Sequence, residues 1–203
     1  MAKMKKHSMS TDMTAMCDVS FLLLTFFVLT STAKQPEVHP VDLPASTKET
    51  KIPTEDIITL TVGDDSVFVG IAGKEDRKDI LKRVGSQYNI EFTENELNAF
   101  SELEEFGTDI RELKALLAKP TSDRMKTENH KGIPYKDSLN NQLSAWVKSA
   151  RESSWQRKEQ FIKVAIKGDA EEEFGTIKEV IDILQKQRQN RFYLVTGLRN
   201  DDF

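Results

Sequence analysis

Met13-Thr14-Ala15-Met16-Cys17-Asp18-Val19-Ser20-Phe21-Leu22-Leu23-Leu24-Thr25-Phe26-Phe27-Val28-Leu29-Thr30-Ser31-Thr32 holds nearly all the apolar weight of the first quarter of the chain and a single charge, Asp18. Wound as a helix, its 20 residues rise about 30 Å, the thickness of a bilayer's hydrocarbon core. Phe21 to Leu29 has no polar stripe for water, which argues against the core helix of a soluble protein. The segment therefore predicts a transmembrane helix, placed at residues 12–33.

The flanks orient it. Lys3, Lys5 and Lys6 precede the segment, whereas Glu37 and Asp42 follow it with only Lys34 close by. The basic excess keeps the tail, residues 1–11, on the cytoplasmic side and sends the rest of the chain across. A cleaved signal peptide is the alternative, with Lys3 to Lys6 as its basic region and Ser31-Thr32-Ala33 as its small-residue cleavage site. Asp18 speaks against it, because a carboxylate costs insertion energy and serves a signal peptide in no way. Thr14 lies four residues before Asp18 and Thr25 seven after it, with Thr32 a further seven on. On a helix these share one face, which suits contact with other protein or a wet cavity better than acyl chains.

After the span, residues 34–55 read as a linker. Pro36, Pro40 and Pro44 exclude a helix there and leave a flexible, extended tether. The body, residues 56–203, opens with Ile57 to Val62, then Gly63-Asp64-Asp65, then Ser66 to Ile71, two β-rich runs around a turn that predict a hairpin. Arg77 to Val84 reads as a helix capped at Gly85, with Ile80, Leu81 and Val84 on the sheet. Phe161 to Lys167 alternates as a strand. Phe174 to Lys186 sets Ile177, Val180, Ile181 and Leu184 on one helical face, and Arg191 to Thr196 closes as a strand.

Between these halves, residues 86–160 read as a helical insertion. Thr93-Glu94-Asn95-Glu96 is a capping box for a helix to Phe106, and Asp109 to Ala118 and Ser138 to Ser153 continue the helical pattern. Lys119 to Tyr135 reads as a polar, mobile loop. Trp146 and Trp155 are expected to pack the insertion onto the sheet.

Composition excludes several functions. With 29 basic and 33 acidic residues the net charge is −4, so there is no electrostatic case for nucleic acid. The lone Cys17 forms neither an intramolecular disulfide nor a CxxC metal site. His7, His39 and His130 lack zinc-ligand spacing and read as surface residues. The acidic runs at Glu102-Glu104-Glu105 and Glu171-Glu172-Glu173 lack calcium-loop spacing and read as solvated helix faces. There is no phosphate loop, no GxSxG and no nucleophile paired with a base, so neither an enzyme nor a cofactor or metal is expected.

Asp12-Met13-Thr14-Ala15-Met16-Cys17-Asp18-Val19, followed by Phe21-Leu22-Leu23-Leu24-Thr25-Phe26-Phe27, resembles the transmembrane signature of the ExbD/TolR family, which sets Thr four residues before a functional Asp. Asp12 stands where Asn is common, and Ala15 where Pro usually follows the Thr. Val41-Asp42-Leu43-Pro44 is similar to the family's linker motif, and residues 168–184 with the Tyr193-to-Leu198 stretch are similar to the end of its periplasmic domain. Phe174 replaces a frequent Tyr.

The resemblance implies an α/β protein. It would have one N-terminal transmembrane helix, a flexible linker, and a small periplasmic domain with helices packed on a mixed β-sheet and a helical insertion. It implies a stator subunit in the inner membrane that couples proton flow through Asp18 to outer-membrane work, with Thr14 and Thr25 lining the path. It implies an ExbB/TolQ-like multi-span partner around a homodimer of this chain, a TonB- or TolA-like energy transducer, and a strand-adding contact between subunits or with a partner through Val41, Asp42, Leu43 and Pro44. On residues alone that motif also fits any extended linker. A membrane-anchored periplasmic binding or scaffolding module, in which Asp18 only pairs with a neighbouring helix, remains open as the alternative.

Overall fold

The computed structural model describes residues 13–31, 37–47, 52–137, 140–171 and 174–198. The basic tail with Lys3, Lys5, Lys6 and His7 lies outside them, as do Asp12, Thr32, Ala33, Lys34, Pro36, Ser138, Glu172 and Glu173. The chain divides into two units, Met1–Gln35 and Pro36–Phe203.

The first unit carries helix α1, Met13–Thr30, in which no residue is buried. Its 18 residues rise about 27 Å, within the range that crosses a bilayer.

The second unit is built on a mixed sheet. Strand β1 is Ala45–Ser46, followed by the hairpin of β2, Ile57–Gly63, and β3, Ser66–Ile71. Asp64 and Asp65 turn the hairpin at φ 51° and 56°, the left-handed backbone that suits the right-handed twist of the flanking strands. Helix α2, Lys74–Gln87, runs past Gly85, so the expected cap there is corrected. The helix instead ends where Asn89 takes φ 55° and the Ile90 N–H donates to the Gly85 carbonyl at 2.8 Å. Gly85 serves a close approach: a Cβ there would lie 2.6 Å from the Ile90 oxygen.

Helix α3, Glu94–Ser101, starts at the expected Thr93–Glu96 capping box but stops five residues short of Phe106. Glu105–Phe106 is strand β4, paired with β3 through Val69 and Gly70. Helix α4, Ile110–Leu117, falls within the predicted range Asp109 to Ala118 and is capped by Asp109, whose side chain accepts the Arg111 N–H. Lys119 to Tyr135 is not a loose polar loop. It forms α5, Thr121–Arg124, and a 3-10 turn at Thr127–Asn129, and it buries His130, Ile133 and Tyr135. The Gly132 and Ile133 N–H groups donate to the Gly107 and Val67 carbonyls, which ties this segment to the sheet. Helix α6, Gln142–Lys158, starts from Asn141 and runs beyond Ser153. Strand β5, Lys163–Gly168, and helix α7, Phe174–Lys186, follow the predicted ranges closely. Of the last run, Arg191 to Thr196, Tyr193–Val195 forms strand β6, and Gly197–Leu198 beyond it forms β7.

The five-stranded sheet has the order β4-β3-β2-β5-β6, with β2 parallel to β5 and β5 parallel to β6, while β3 is antiparallel to both neighbours. Ile58, Leu60, Val62, Val67, Val69, Val164 and Ile166 face the helices and meet Ile80, Leu81 and Val84 of α2 and Val180 of α7 in one core. Each such side chain contributes about 1.5–3 kcal/mol when fully buried. Phe100, Phe106 and Trp146 extend that core under the segment read as an insertion, with ring centroids 4.7 Å apart for Phe106 and Trp146. Trp155 does not share it; the ring is half exposed and stacks on Phe161. Arg77 is buried and clamps the sheet to α3, its guanidinium donating to the carbonyls of Ile71 and Ser101 at 2.7 Å each.

Candidate functional site

In α1 Asp18 is the only charged residue, and it is exposed together with eleven large apolar side chains from Met13 to Leu29. A helix that is apolar around most of its circumference finds no cover within its own unit, so lipid or other protein must supply it. Thr14, Asp18 and Thr25 fall on one face by spacing. Thr25 Oγ1 donates to the Leu22 carbonyl at 2.9 Å, which satisfies the hydroxyl within the helix and leaves its oxygen free to accept. The face is thus weakly polar around one carboxylate. Among the described residues, no group of three or more His, Cys, Asp or Glu side chains is arranged to hold a metal ion.

The second candidate feature, the linker motif, lies in the body's unit. Val38, His39 and Val41 are seated on the face of the sheet opposite α2 and α7. Val38 is buried, and the His39 ring lies flat on Phe68. Glu105 on β4 is the anchor: its carboxylate accepts the N–H groups of Val38 at 3.2 Å and His39 at 3.5 Å together with the Thr61 hydroxyl. Thr127 donates to the Val38 carbonyl at 2.7 Å, and Lys167 pairs with Glu37. Further along, the Asp42 carbonyl accepts the Ala170 N–H at 2.7 Å and the Pro44 carbonyl accepts the Gly197 N–H at 3.0 Å. Strand β1 then pairs in parallel with β7. Val41, Asp42, Leu43 and Pro44 thus lead into a strand-adding contact, and its partner here is the chain's own C-terminal stretch.

Sequence reasoning missed Glu105, Thr61 and Phe68. Glu105 reads as one acid in a solvated helical run, yet it is half-buried on a strand. The one signal was Thr61, one of two threonines in a mostly apolar strand, which is fully buried facing the linker. His130 is likewise not a surface histidine. It is 4% exposed, and it receives the Gly107 N–H on Nδ1 at 3.2 Å while Nε2 lies 2.6 Å from the Arg124 carbonyl. A carbonyl can only accept, so Nε2 carries the proton and the ring is neutral. Burial pushes its pKa down, against the pull of that carbonyl and of Glu105.

A family model described as biopolymer transport protein ExbD/TolR matches residues 4–198. Comparison with curated proteins and with solved structures gave no match. Family and apolar helix together support a single-pass protein of the inner membrane that serves biopolymer transport. With the match running from ahead of α1 to β7, the chain belongs to the ExbD/TolR family.

Proposed function

We propose that the chain is the stator subunit of an inner-membrane motor of the ExbB–ExbD or TolQ–TolR type, which spends the proton motive force on TonB-dependent transport across the outer membrane. The observation that carries this reading is Asp18, the only charge in an apolar helix exposed on all sides. A carboxylate within such a helix is costly, up to about 2.5–3.5 kcal/mol at the helix centre even by the mildest measure, so its presence calls for a use. In apolar surroundings the neutral acid is favoured, and in a wet or hydroxyl-lined niche the anion. Alternation between the two carries a proton. The face of Thr14 and Thr25 lines the path, and the drive is about 2.3 kcal/mol per charge for each 100 mV.

One helix cannot enclose a path, so a multi-span ExbB/TolQ-like partner surrounds it, with a dimer of this chain at the centre and a TonB- or TolA-like protein receiving the motion. The N-terminus lies in the cytoplasm and the body in the periplasm, in keeping with the lysines ahead of α1. Exchanging α1 for an unrelated apolar span of equal length tests the reading. Loss of active outer-membrane uptake, with the body still folded and membrane-bound, is expected. Full uptake with a foreign anchor would leave an anchored binding or scaffolding module instead.

A further inference from the structure

A groove of about 970 Å³ opens on the body where the start of β5, the α7–β6 connection and α6 meet. Among the described residues, Arg151, Lys163, Arg188 and Arg191 line it and no acidic residue does. None of the four forms an ion pair among the described residues, in a chain whose net charge is −4. Elsewhere on the body many cations are matched to acids, as Lys158 is to Asp56 and Asp76.

The groove also has an apolar wall. Phe161 lines it and is 60% exposed, with the Arg151 guanidinium over its ring at 5.8 Å, and Trp155, 50% exposed, stacks on Phe161 at 4.8 Å beside the groove. Arg151 is fixed there, since it donates to the Gln187 carbonyl at 2.6 Å. Tyr193, on the rim, belongs to β6, the outermost strand at that side of the sheet.

We propose that this groove docks an extended acidic segment of a partner polypeptide, laid along β6 with its carboxylates on the four cations and an apolar side chain on the Phe161–Trp155 platform. Cations without acidic partners supply the charge selection, and an edge strand supplies main-chain bonding that only a polypeptide can use. That second property favours a peptide over an anionic glycan. The inference concerns the body alone and is independent of proton carriage by Asp18.

The test uses the full chain in detergent micelles and a fluorescein-labelled peptide of alternating Glu and Val with Phe at its centre, read by anisotropy. The acidic peptide is expected to bind and its Lys-for-Glu counterpart is not. Binding should weaken at least about tenfold in the Arg188→Glu, Arg191→Glu double variant and again on raising salt to about 1 M. Both arginines are exposed, and an unchanged melting temperature verifies the fold. Should the double variant melt early, Lys163→Glu and the salt response of the parent decide in its place. Absence of binding at millimolar peptide, or equal binding by the variants, overturns the proposal. So does polygalacturonate that binds and displaces the peptide, which would assign the groove to an anionic glycan.

Discussion

The His39 ring stacks on Phe68 with centroids 4.6 Å and planes 9° apart, so a linker side chain covers a residue of the central hairpin. Phe68→Ala should cost about 3–5 kcal/mol, because it removes a ring buried on the reverse face. His39→Ala should cost about 0.5–1.5 kcal/mol, the worth of the stacked pair. Hydrogen exchange separates them. In His39→Ala the amides of Ala170 and Gly197, which hold Asp42 and Pro44, should exchange faster while those of β2 stay protected.

Glu105 joins the Val38 and His39 amides to Thr61. Glu105→Ala leaves the buried Thr61 hydroxyl without its acceptor, and a loss of about 1–3 kcal/mol is expected in urea denaturation. A double-mutant cycle with Thr61→Val should give a coupling of about 0.5–3 kcal/mol; strict additivity would show that the pair does not interact.

The parts of the fold that could be read from the sequence are those with local causes. The β2–β3 hairpin follows from two β-rich runs around the Asp64-Asp65 turn, α4 from the helical pattern of Asp109 to Ala118, and α7 from the spacing of Ile177, Val180, Ile181 and Leu184. Strand β4 could not be read. Leu97, Phe100, Leu103 and Phe106 keep a spacing of three, so the helical pattern runs on through residues that are in fact buried by pairing with β3. The docking of residues 37–47 and the burial of His130 are also non-local. Prolines exclude a helix but do not say what an extended segment will rest on, and polar neighbours hide a histidine whose partners are Gly107 and Arg124. In the candidate site, Asp18 stood out because charge in an apolar run is rare, whereas Glu105 is one acid among many.

His130 should make the body sensitive to mild acid. Unfolded, the imidazole titrates near about 6.5; folded, burial holds it lower, with Lys119 adding to the depression and Glu105 opposing it. Between the two values the unfolded chain binds a proton that the folded chain does not. Its stabilising contribution is therefore present above about pH 6.5 and lost as the pH falls towards the folded pKa. Denaturation midpoints should drop more steeply over that window in the parent than in His130→Asn, which lowers stability overall and flattens this part of the profile.

The end of α2 separates two reasons for a special residue. Asn89 sits at φ 55°, so Asn89→Gly should be neutral to mildly stabilising, and Asn89→Ala should cost about 1 kcal/mol. Gly85→Ala should cost about 1–3 kcal/mol for a different cause, since its Cβ meets the Ile90 oxygen and Phe92. Thermal melts of the three variants check the order.

Asp18→Asn removes the titratable proton and keeps the shape of the side chain. Expressed in the source cell at an abundance matched by blotting, it should abolish growth on a nutrient that needs active outer-membrane uptake. Growth equal to that of the parent would contradict proton carriage by Asp18.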